Sequence, residues 1–263
     1  MPWVVKVFKI DIEDIQRYSV CPVYYDLFKH NTLNAAEYDI RFKYLSDLKK
    51  VIYTYLYRLQ AGDNVMVSHL TQNFMKLWSN GRYNKDKKSI LYEYNINRDE
   101  IEIKRRQGIE SLVALHNFFK DNRIFPILIN QDYEIKLSKG LIITGKIPLL
   151  YQDKNGNILL LDFMLGDKFD NNYFIEDKSF LVTSTLLGVK TITNRKINKI
   201  GIYNFKKNKV IYTSRTDKEI ELFKGYAFNI SKCIYNKIIY PCVNYKCLTC
   251  MYQKTCTNNY DTM

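Results

Sequence analysis

From Asp11 to about Leu27, apolar and polar positions alternate at a helical period. Asp11 is a suitable N-cap, because its carboxylate accepts a hydrogen bond from a free backbone N–H at a helix start. The apolar residues that follow fall near one helical face: Ile12, Ile15, Tyr18, Val23 and Leu27. Pro22 has no backbone N–H, so the pattern predicts a break at Cys21 and Pro22 between two helical segments.

Three longer helical patterns follow. They cover about 33–60, about 64–79 and about 101–120, and the first of them ends at Gly62. The segment 81–97 is polar and basic, so it is predicted to be a loop.

The pattern changes at Ile124, where strand-like alternation begins. The strand-like runs are 127–137, 141–151, 157–163, 200–205 and 210–213. Asn155-Gly156 separates the second and third runs, and this dipeptide between apolar runs is a strong hairpin signal. A helical pattern at 217–235 completes the series.

These elements predict an α/β fold in a single domain over residues 1–263. It divides into a helical elaboration at about 30–120, an α/β core at about 124–235 and a cysteine-rich loop at 241–256. A chain of 263 residues is long enough to bury a full core.

The composition adds an excess of positive charge. Forty Lys and Arg residues against 27 Asp and Glu give a formal net charge of +13. This balance favours a polyanionic partner, nucleic acid first. The abundance of Lys, Asn, Ile and Tyr is also typical of an AT-rich genome, and that interpretation stays open.

Basic residues are concentrated between 195 and 218, where eight of them stand against one acid, Asp217. The candidate contacts to a DNA backbone are Arg195, Lys196, Lys199, Lys206, Lys207 and Lys209. The alternative for this stretch is an ordinary solvated surface.

The sequence has no run of 18 apolar residues, and its first six residues lack the apolar segment of a signal peptide. We therefore expect an intracellular protein, in the cytoplasm or in that of a host, with no membrane partner. Six cysteines in a reducing compartment favour metal ligation over disulfides.

Three cysteines near the C-terminus have the spacing C-x2-C-x5-C: Cys247, Cys250 and Cys256. A C-x2-C turn supplies two thiolates to one metal, and a tetrahedral site needs four donors. The fourth donor is Cys21, Cys233 or Cys242. An iron-sulfur cluster, a four-thiolate zinc site and unliganded thiols are all compatible with this spacing.

Two elements together resemble a known family. Cys-Pro-x-x-Tyr stands near the start, at Cys21 to Tyr25, and the C-x2-C-x5-C element follows Tyr240-Pro241. This combination resembles the iron-sulfur branch of the RecB-like nucleases in the PD-(D/E)XK superfamily. That branch includes the CRISPR-associated Cas-four type exonucleases and the AddB-type helicase-nucleases.

The resemblance implies a restriction-endonuclease-like core, a mixed sheet flanked by helices, whose C-terminal cysteines clasp to the N-terminal helix. It also implies a [4Fe-4S] cluster that joins the two ends of the domain. The ligands that it implies are Cys21, Cys247, Cys250 and Cys256.

The family's active site lies on the hairpin, as G-x-I-D on the first strand and D-x-K on the second. Two carboxylates hold Mg²⁺ or Mn²⁺, and the metal with the lysine activates water. Here Pro148 replaces the first carboxylate and Met164 replaces the lysine, so only Asp162 keeps its chemistry. A single carboxylate holds Mg²⁺ weakly, and we expect no catalytic metal there.

Glu134 and Lys146 are the candidate substitutes for the missing groups. Lys146 shares a strand face with position 148, and Glu134 lies on the preceding strand. His69 and His116, each in a helical pattern, are candidate relics of the histidine that many family members carry before the hairpin.

The sequence therefore predicts a catalytically degenerate nuclease-fold protein. It would bind DNA, as single strands or duplex ends, through backbone charge, or act as a scaffolding subunit in a DNA-processing complex. The competing predictions are a divergent metal-dependent DNA exonuclease with relocated catalytic residues and a zinc-stapled protein-interaction module.

Overall fold

The computed structural model describes residues 7–30, 40–80, 98–164, 180–195, 197, 199–205, 207–244, 247, 248, 250, 252, 253, 255 and 256. Within these ranges the fold is α/β, with a mixed six-stranded sheet flanked by seven helices. No helix in these ranges is long and apolar enough to cross a membrane.

The strands are β1 (Phe8–Asp11), β2 (Phe125–Ser138), β3 (Leu141–Gln152), β4 (Ile158–Met164), β5 (Lys199–Asn204) and β6 (Lys209–Thr213). The helices are α1 (Ile12–Val20), α2 (Pro22–His30), α3 (Ile40–Gln60), α4 (Val67–Asn80), α5 (Arg98–Asp121), α6 (Phe180–Thr193) and α7 (Asp217–Tyr235).

The structure confirms the local signals near the N-terminus. The carboxylate of Asp11 accepts a hydrogen bond from the backbone N–H of Glu13 at 2.7 Å, which caps α1. Cys21 separates α1 from α2, and Pro22 is the first residue of α2, where a missing N–H costs nothing.

The predicted strands, the Asn155-Gly156 hairpin and the helices at 64–79, 101–120 and 217–235 are also present, with small shifts at their ends. The helix predicted at 33–60 is present over Ile40–Gln60, and its first residues lie outside the described part of the chain, as does the loop predicted at 81–97. The sequence did not predict β1, which belongs to the sheet although it lies far from the predicted core at 124–235.

Strand β3 is the centre of the sheet. β2 pairs with it in antiparallel fashion along its whole length and therefore occupies one of its two edges. The other edge is shared end to end: β1 pairs in parallel with 141–144, and β4 pairs in antiparallel fashion with 149–152. β5 and β6 extend the sheet beyond β4. The β3 residues from Gly145 to Pro148 pair with neither β1 nor β4.

Two apolar cores cover the two faces of the sheet. The first core joins α3, α4 and α5 to the sheet and includes Leu48, Ile52, Leu56, Phe74, Leu115, Leu149 and Leu161. The second core joins α1, α6 and α7 to the sheet and includes Ile12, Ile15, Ile143, Ile147, Leu160, Val189 and Phe223. The sheet therefore forms the middle layer between helices.

The strand pattern of β3 is interrupted at Pro148. Residues two apart on a regular strand point to the same face, yet Ile147 lies in the second core and Leu149 in the first. Across β2, Asn130 stands opposite Pro148 and has a φ of 48°, in the left-handed region. Both strands therefore change face at the same place, where proline cannot donate a hydrogen bond to the ladder.

The ring of Tyr133 fills the space between β3 and α6 in the second core. Its hydroxyl donates a hydrogen bond to Ser184 at 2.7 Å, and its ring lies against the Cα atoms of Gly145 and Gly188. A Cβ atom at either glycine would overlap this side chain. The absence of a side chain at these two positions is therefore a packing requirement.

We expect Gly188→Ala, in the middle of α6, to destabilise the protein. The added methyl group would overlap the buried ring of Tyr133, and overpacking of this kind costs about 1–3 kcal/mol. The measurement is the free energy of unfolding in urea.

Gly225→Ala in α7 is the matched control, because it is the same substitution inside a helix with no atom within 4 Å of the new Cβ. Alanine favours the helix over glycine, so this variant should gain about 0.5–1 kcal/mol. Equal effects of the two substitutions would contradict the packing of Tyr133 described above.

Candidate functional site

The hairpin of β3 and β4 places Pro148 beside Asp162. The last paired residues of the ladder are Leu149 and Leu161, and Pro148 and Asp162 are the next residues along the two strands beyond that pair. Met164 ends β4, where its backbone pairs with Asn204 of β5. The two sequence positions compared with the family's carboxylates are therefore neighbours, and only one of them carries an acid.

The carboxyl group of Asp162 lies in an environment that disfavours its charge. Burial raises its pKa above the ordinary value, and the negative charge of Glu13 acts in the same direction. A hydrogen bond at 2.7 Å from the backbone N–H of Phe163, together with the positive charge of Lys49, offsets this only in part. A carboxyl group that resists ionisation is a poor ligand for a divalent cation.

The two candidate substitutes have other partners. The ammonium of Lys146 lies 2.9 Å from the carboxylate of Asp132, the residue opposite it on β2. Glu134 forms an ion pair at 2.6 Å with Lys9 of β1. The lysine whose charge lowers the pKa of Asp162 is instead Lys49 of α3. Sequence reasoning missed this residue because no local signal connects a helix at 40–60 with a strand at 158–164.

The two candidate histidines lie on the helices of the first core. Nδ1 of His116 is 3.1 Å from the hydroxyl of Tyr55, and burial followed by the charge of Lys120 lowers the pKa of the ring. Nδ1 of His69 is buried, with no hydrogen-bond partner in the described part of the chain. His116 thus has a structural partner on α3.

The basic residues between 195 and 209 occupy both ends of the β5–β6 hairpin. Arg195 and Lys199 lie at one end, and Lys207 and Lys209 lie at the turn, all with exposed side chains. Five residues of strand separate Lys199 from the turn, a distance of about 17 Å. Lys196 and Lys206 lie outside the described residues. Lysines on an edge hairpin also prevent pairing with another sheet.

The loop that carries the C-terminal cysteines contacts the start of the chain. The side-chain amide of Asn244 donates a hydrogen bond to the carbonyl of Val20 at 3.2 Å, and the rings of Tyr24 and Tyr252 meet edge to face at 5.7 Å. The hydroxyl of Tyr18 donates to the carbonyl of Ile238. The two ends of the described chain are therefore in direct contact.

Three of the four predicted ligands share one small apolar cluster. Cys21, Cys250 and Cys256 pack against Val23, Leu27 and Tyr252. Cys247 starts the turn that leads to Cys250, and the backbone N–H of Cys250 donates to the Cys247 carbonyl at 3.2 Å. The sulfur of Cys247 accepts a hydrogen bond from the backbone N–H of Asn244 at 3.4 Å.

The other two cysteines have separate surroundings. Cys233 lies on α7 beside the phenol of Tyr18, whose pKa is raised by burial first and by this thiol second. Cys242 lies near Asn244, with its sulfur 3.9 Å from the side-chain amide.

The donor chemistry at this end of the fold fits a thiolate-held metal or cluster, since four thiols come from two segments that touch. The six cysteines form no disulfide within the described part of the chain. In the described ranges, no three His, Cys, Asp or Glu side chains are arranged as a group that could hold a metal ion. The metal site therefore stays a prediction from the cysteine spacing.

Comparison with known proteins does not identify the chain: no protein-family model matches the sequence, and no curated protein matches it. The function has to be inferred from the site itself.

We predict that Asp162→Asn stabilises the protein at pH 7. The folded pKa of Asp162 is above its unfolded value of about 3.9, so stability is lost as the pH rises from that value through the folded pKa. Asparagine removes this loss and keeps an oxygen for the Phe163 N–H. The gain should be on the order of 1 kcal/mol at pH 7 and should disappear below about pH 4, as measured by thermal unfolding across this range.

Asp153→Asn in the β3–β4 turn is the control with the opposite sign. Burial alone would raise the pKa of Asp153, but hydrogen bonds from Asn157 and Asn155 outweigh it and lower the pKa. This substitution should destabilise at pH 7, with a smaller effect in acid. If Asp162→Asn also destabilises at pH 7, the protein uses Asp162 in its ionised form, as a metal site requires.

Proposed function

We propose that the protein is a RecB-like nuclease fold of the PD-(D/E)XK type that has lost its catalytic metal site. It acts as a DNA-binding or scaffolding subunit in DNA processing. The observation that carries the proposal is the register of β3 and β4, in which Pro148 and Asp162 directly follow the last pair, Leu149 and Leu161, on a hairpin within a mixed sheet. Under this proposal the hairpin is the remnant of a two-carboxylate metal site in which one of the two carboxylates is absent.

The surroundings of Asp162 support the loss of catalysis. Its raised pKa disfavours the anion, and the two candidate replacements, Glu134 and Lys146, are paired with Lys9 and Asp132. A metal such as Mg²⁺ keeps its waters and needs more than one anionic ligand from the protein.

The net charge of +13 supports a polyanionic partner. A protein that holds a strand by its phosphates gains affinity from the release of counterions and needs no base readout. We propose that DNA, or a protein complex that works on DNA, is this partner, and that the protein acts inside the cell.

We further propose that Cys21, Cys247, Cys250 and Cys256 hold a [4Fe-4S] cluster, with a four-thiolate zinc site as the alternative. The packing of Cys21 with Cys250 and Cys256 in one cluster supports this assignment. The cluster would link helix α2 to the C-terminal loop and stabilise the contact between the ends of the chain. Its role in this proposal is structural.

A divergent metal-dependent exonuclease is the second candidate. The observation in its favour is that Lys49 and Glu13 both lie close enough to Asp162 to change its pKa. A lysine and a second acid beside the surviving carboxylate are the groups that a relocated site would need.

The first test is a cleavage and binding assay on end-labelled single-stranded and duplex DNA with Mg²⁺ or Mn²⁺. We expect no cleavage by the wild type above the background of Asp162→Ala. We also expect binding at low salt that weakens steadily as the salt concentration rises.

Two other outcomes would replace the proposal. Cleavage by the wild type that Asp162→Ala abolishes would establish the divergent exonuclease. Absence of binding at low salt, or binding that does not depend on salt, would favour a zinc-stapled interaction module without a nucleic-acid role.

The second test concerns the metal. Protein purified without oxygen should show a broad absorption band near about 400 nm and contain roughly four irons and four sulfides per chain. Cys21→Ser should lose the iron and destabilise the contact between α2 and the C-terminal loop.

Cys233→Ser is the matched control, because this thiol lies on α7, beside Tyr18 of α1. The variant should retain the iron. A colourless protein with one zinc per chain would establish the zinc alternative. Retention of all iron in Cys21→Ser would show that Cys21 is not a ligand.

A further inference from the structure

A basic pocket lies between helix α3 and the sheet, with a volume of 520 Å³. We call it the lysine pocket. Its lining residues are Ser46, Lys49, Lys50, Tyr53, Thr54, Tyr57, Asn130 and Lys146. The volume is within the range of pockets that hold small ligands or single units of a polymer.

One face of helix α3 builds most of the lysine pocket. Its six residues recur at the helical positions i, i+3, i+4, i+7, i+8 and i+11 from Ser46 to Tyr57, which places them in a single stripe. The opposite face of α3 carries Leu48, Ile52 and Leu56, which are fully buried in the first core. The buried face fixes the helix on the sheet, and the polar stripe is thereby held in place.

The sheet provides the other wall at the place where its pattern breaks. Asn130 of β2 stands opposite Pro148 of β3, and Lys146 lies two residues before Pro148 on β3. The lysine pocket therefore lies next to the hairpin site, but it uses none of the positions at which the family carries its catalytic groups.

The pocket has an excess of positive charge. Among the described residues, neither Lys49 nor Lys50 has a carboxylate within 4 Å, whereas Lys146 is paired with Asp132. That ion pair is exposed on both sides and is therefore weak. The hydroxyl of Ser46 and the amide of Asn130 add further donors. The hydroxyl of Thr54 instead donates to the Lys50 carbonyl at 2.9 Å. Such a set of donors suits the oxygens of a phosphate group.

Two tyrosines give the pocket a flat apolar surface. The side chain of Tyr57 is 49 % exposed, yet its hydroxyl donates a hydrogen bond to the carbonyl of Ile129 at 3.2 Å. This bond holds an exposed ring in one orientation. The ring of Tyr53 is more buried and lies beneath the ammonium of Lys49, 5.8 Å from the ring centre. Exposed aromatic rings beside lysines are typical of sites that stack nucleobases.

We propose that the lysine pocket binds one nucleotide unit of a single nucleic-acid strand. Lys49, Lys50 and Lys146 would contact phosphate oxygens, and the ring of Tyr57 would stack on a base. The inference rests on the proposed function, and it assigns the strand contact to α3 and β3 rather than to the basic stretch between 195 and 209.

The chemistry favours a nucleic-acid strand over an acidic peptide. An acidic peptide would use the lysines but has no planar group for the tyrosine ring. A nucleotide uses both, because every base presents a flat face of similar size.

The experiment measures fluorescence anisotropy of a labelled thymidine 20-mer at several salt concentrations. The pocket variant is Lys49→Gln with Lys50→Gln, and the control is Lys207→Gln with Lys209→Gln. All four side chains are exposed, and each pair removes two charges. Thermal unfolding verifies that both variants are folded.

We expect the pocket pair to weaken binding by roughly 25-fold at 0.1 M salt, because each single-strand phosphate contact contributes a factor of about 5 there. The slope of log K against log salt should fall by about 1.4, or about 0.7 for each lost contact. The control pair should change binding by less than about threefold. Equal losses in the two variants would overturn the inference and leave the proposed DNA binding intact.

Tyr57 provides a test that does not involve charge. Tyr57→Ala should weaken binding about tenfold with an unchanged salt slope, since a base–ring contact is lost and no counterion is involved. Tyr57→Phe keeps the ring and should retain most of the affinity. Unchanged affinity in Tyr57→Ala would overturn the stacking role.

A competition experiment distinguishes a nucleic-acid strand from an acidic peptide as the ligand of the lysine pocket. Unlabelled thymidine 20-mer should displace the probe at much lower concentration than polyglutamate of equal charge. Equal displacement by polyglutamate would show that the pocket takes acidic peptides and would overturn the inference. Absence of binding by the wild type at low salt would overturn both this inference and the proposed function.

Discussion

A strand has two edges for hydrogen bonding, and β3 must serve three partners. Because β2 occupies one edge completely, β1 and β4 have to share the other edge. The β3 residues between them, 145–148, pair with neither strand. Pro148 stands at the end of that segment and has no N–H to offer. The break in the ladder, the change of face of β2 and β3 and the position of Asp162 all follow from this one arrangement.

The same arrangement explains why the ends of the chain meet. β1 fills the part of the β3 edge that β4 leaves open, so the N-terminal segment is built into the middle of the sheet and α1 starts beside Gly145. The C-terminal loop then contacts α1 and α2 through Asn244 and Tyr252. Metal ligation by cysteines from both segments would strengthen an approach that the sheet already imposes.

Local signals in the sequence were enough to predict most of the elements. The cap at Asp11, the break at Pro22 and the turn at Asn155-Gly156 each depend on residues adjacent in the chain, and all three are present in the structure. β1 was missed because a strand of four residues has no pattern of its own and exists only through its pairing with β3. For the same reason the effect of Lys49 on Asp162 was not predictable, since these residues meet only when α3 packs on the sheet.

The lysine pocket illustrates why net charge alone predicts a surface so poorly. Every amphipathic helix has a polar face, so the lysines of α3 carried no more information in the sequence than those between 195 and 209. What distinguishes them is the opposite wall. β3 places Lys146 across from that face, and the bond between Tyr57 and Ile129 keeps a ring exposed there. On the β5–β6 hairpin the lysines stand apart at two ends of an edge. Convergence of groups from two elements, rather than their number along the chain, is therefore the stronger indication of a binding site.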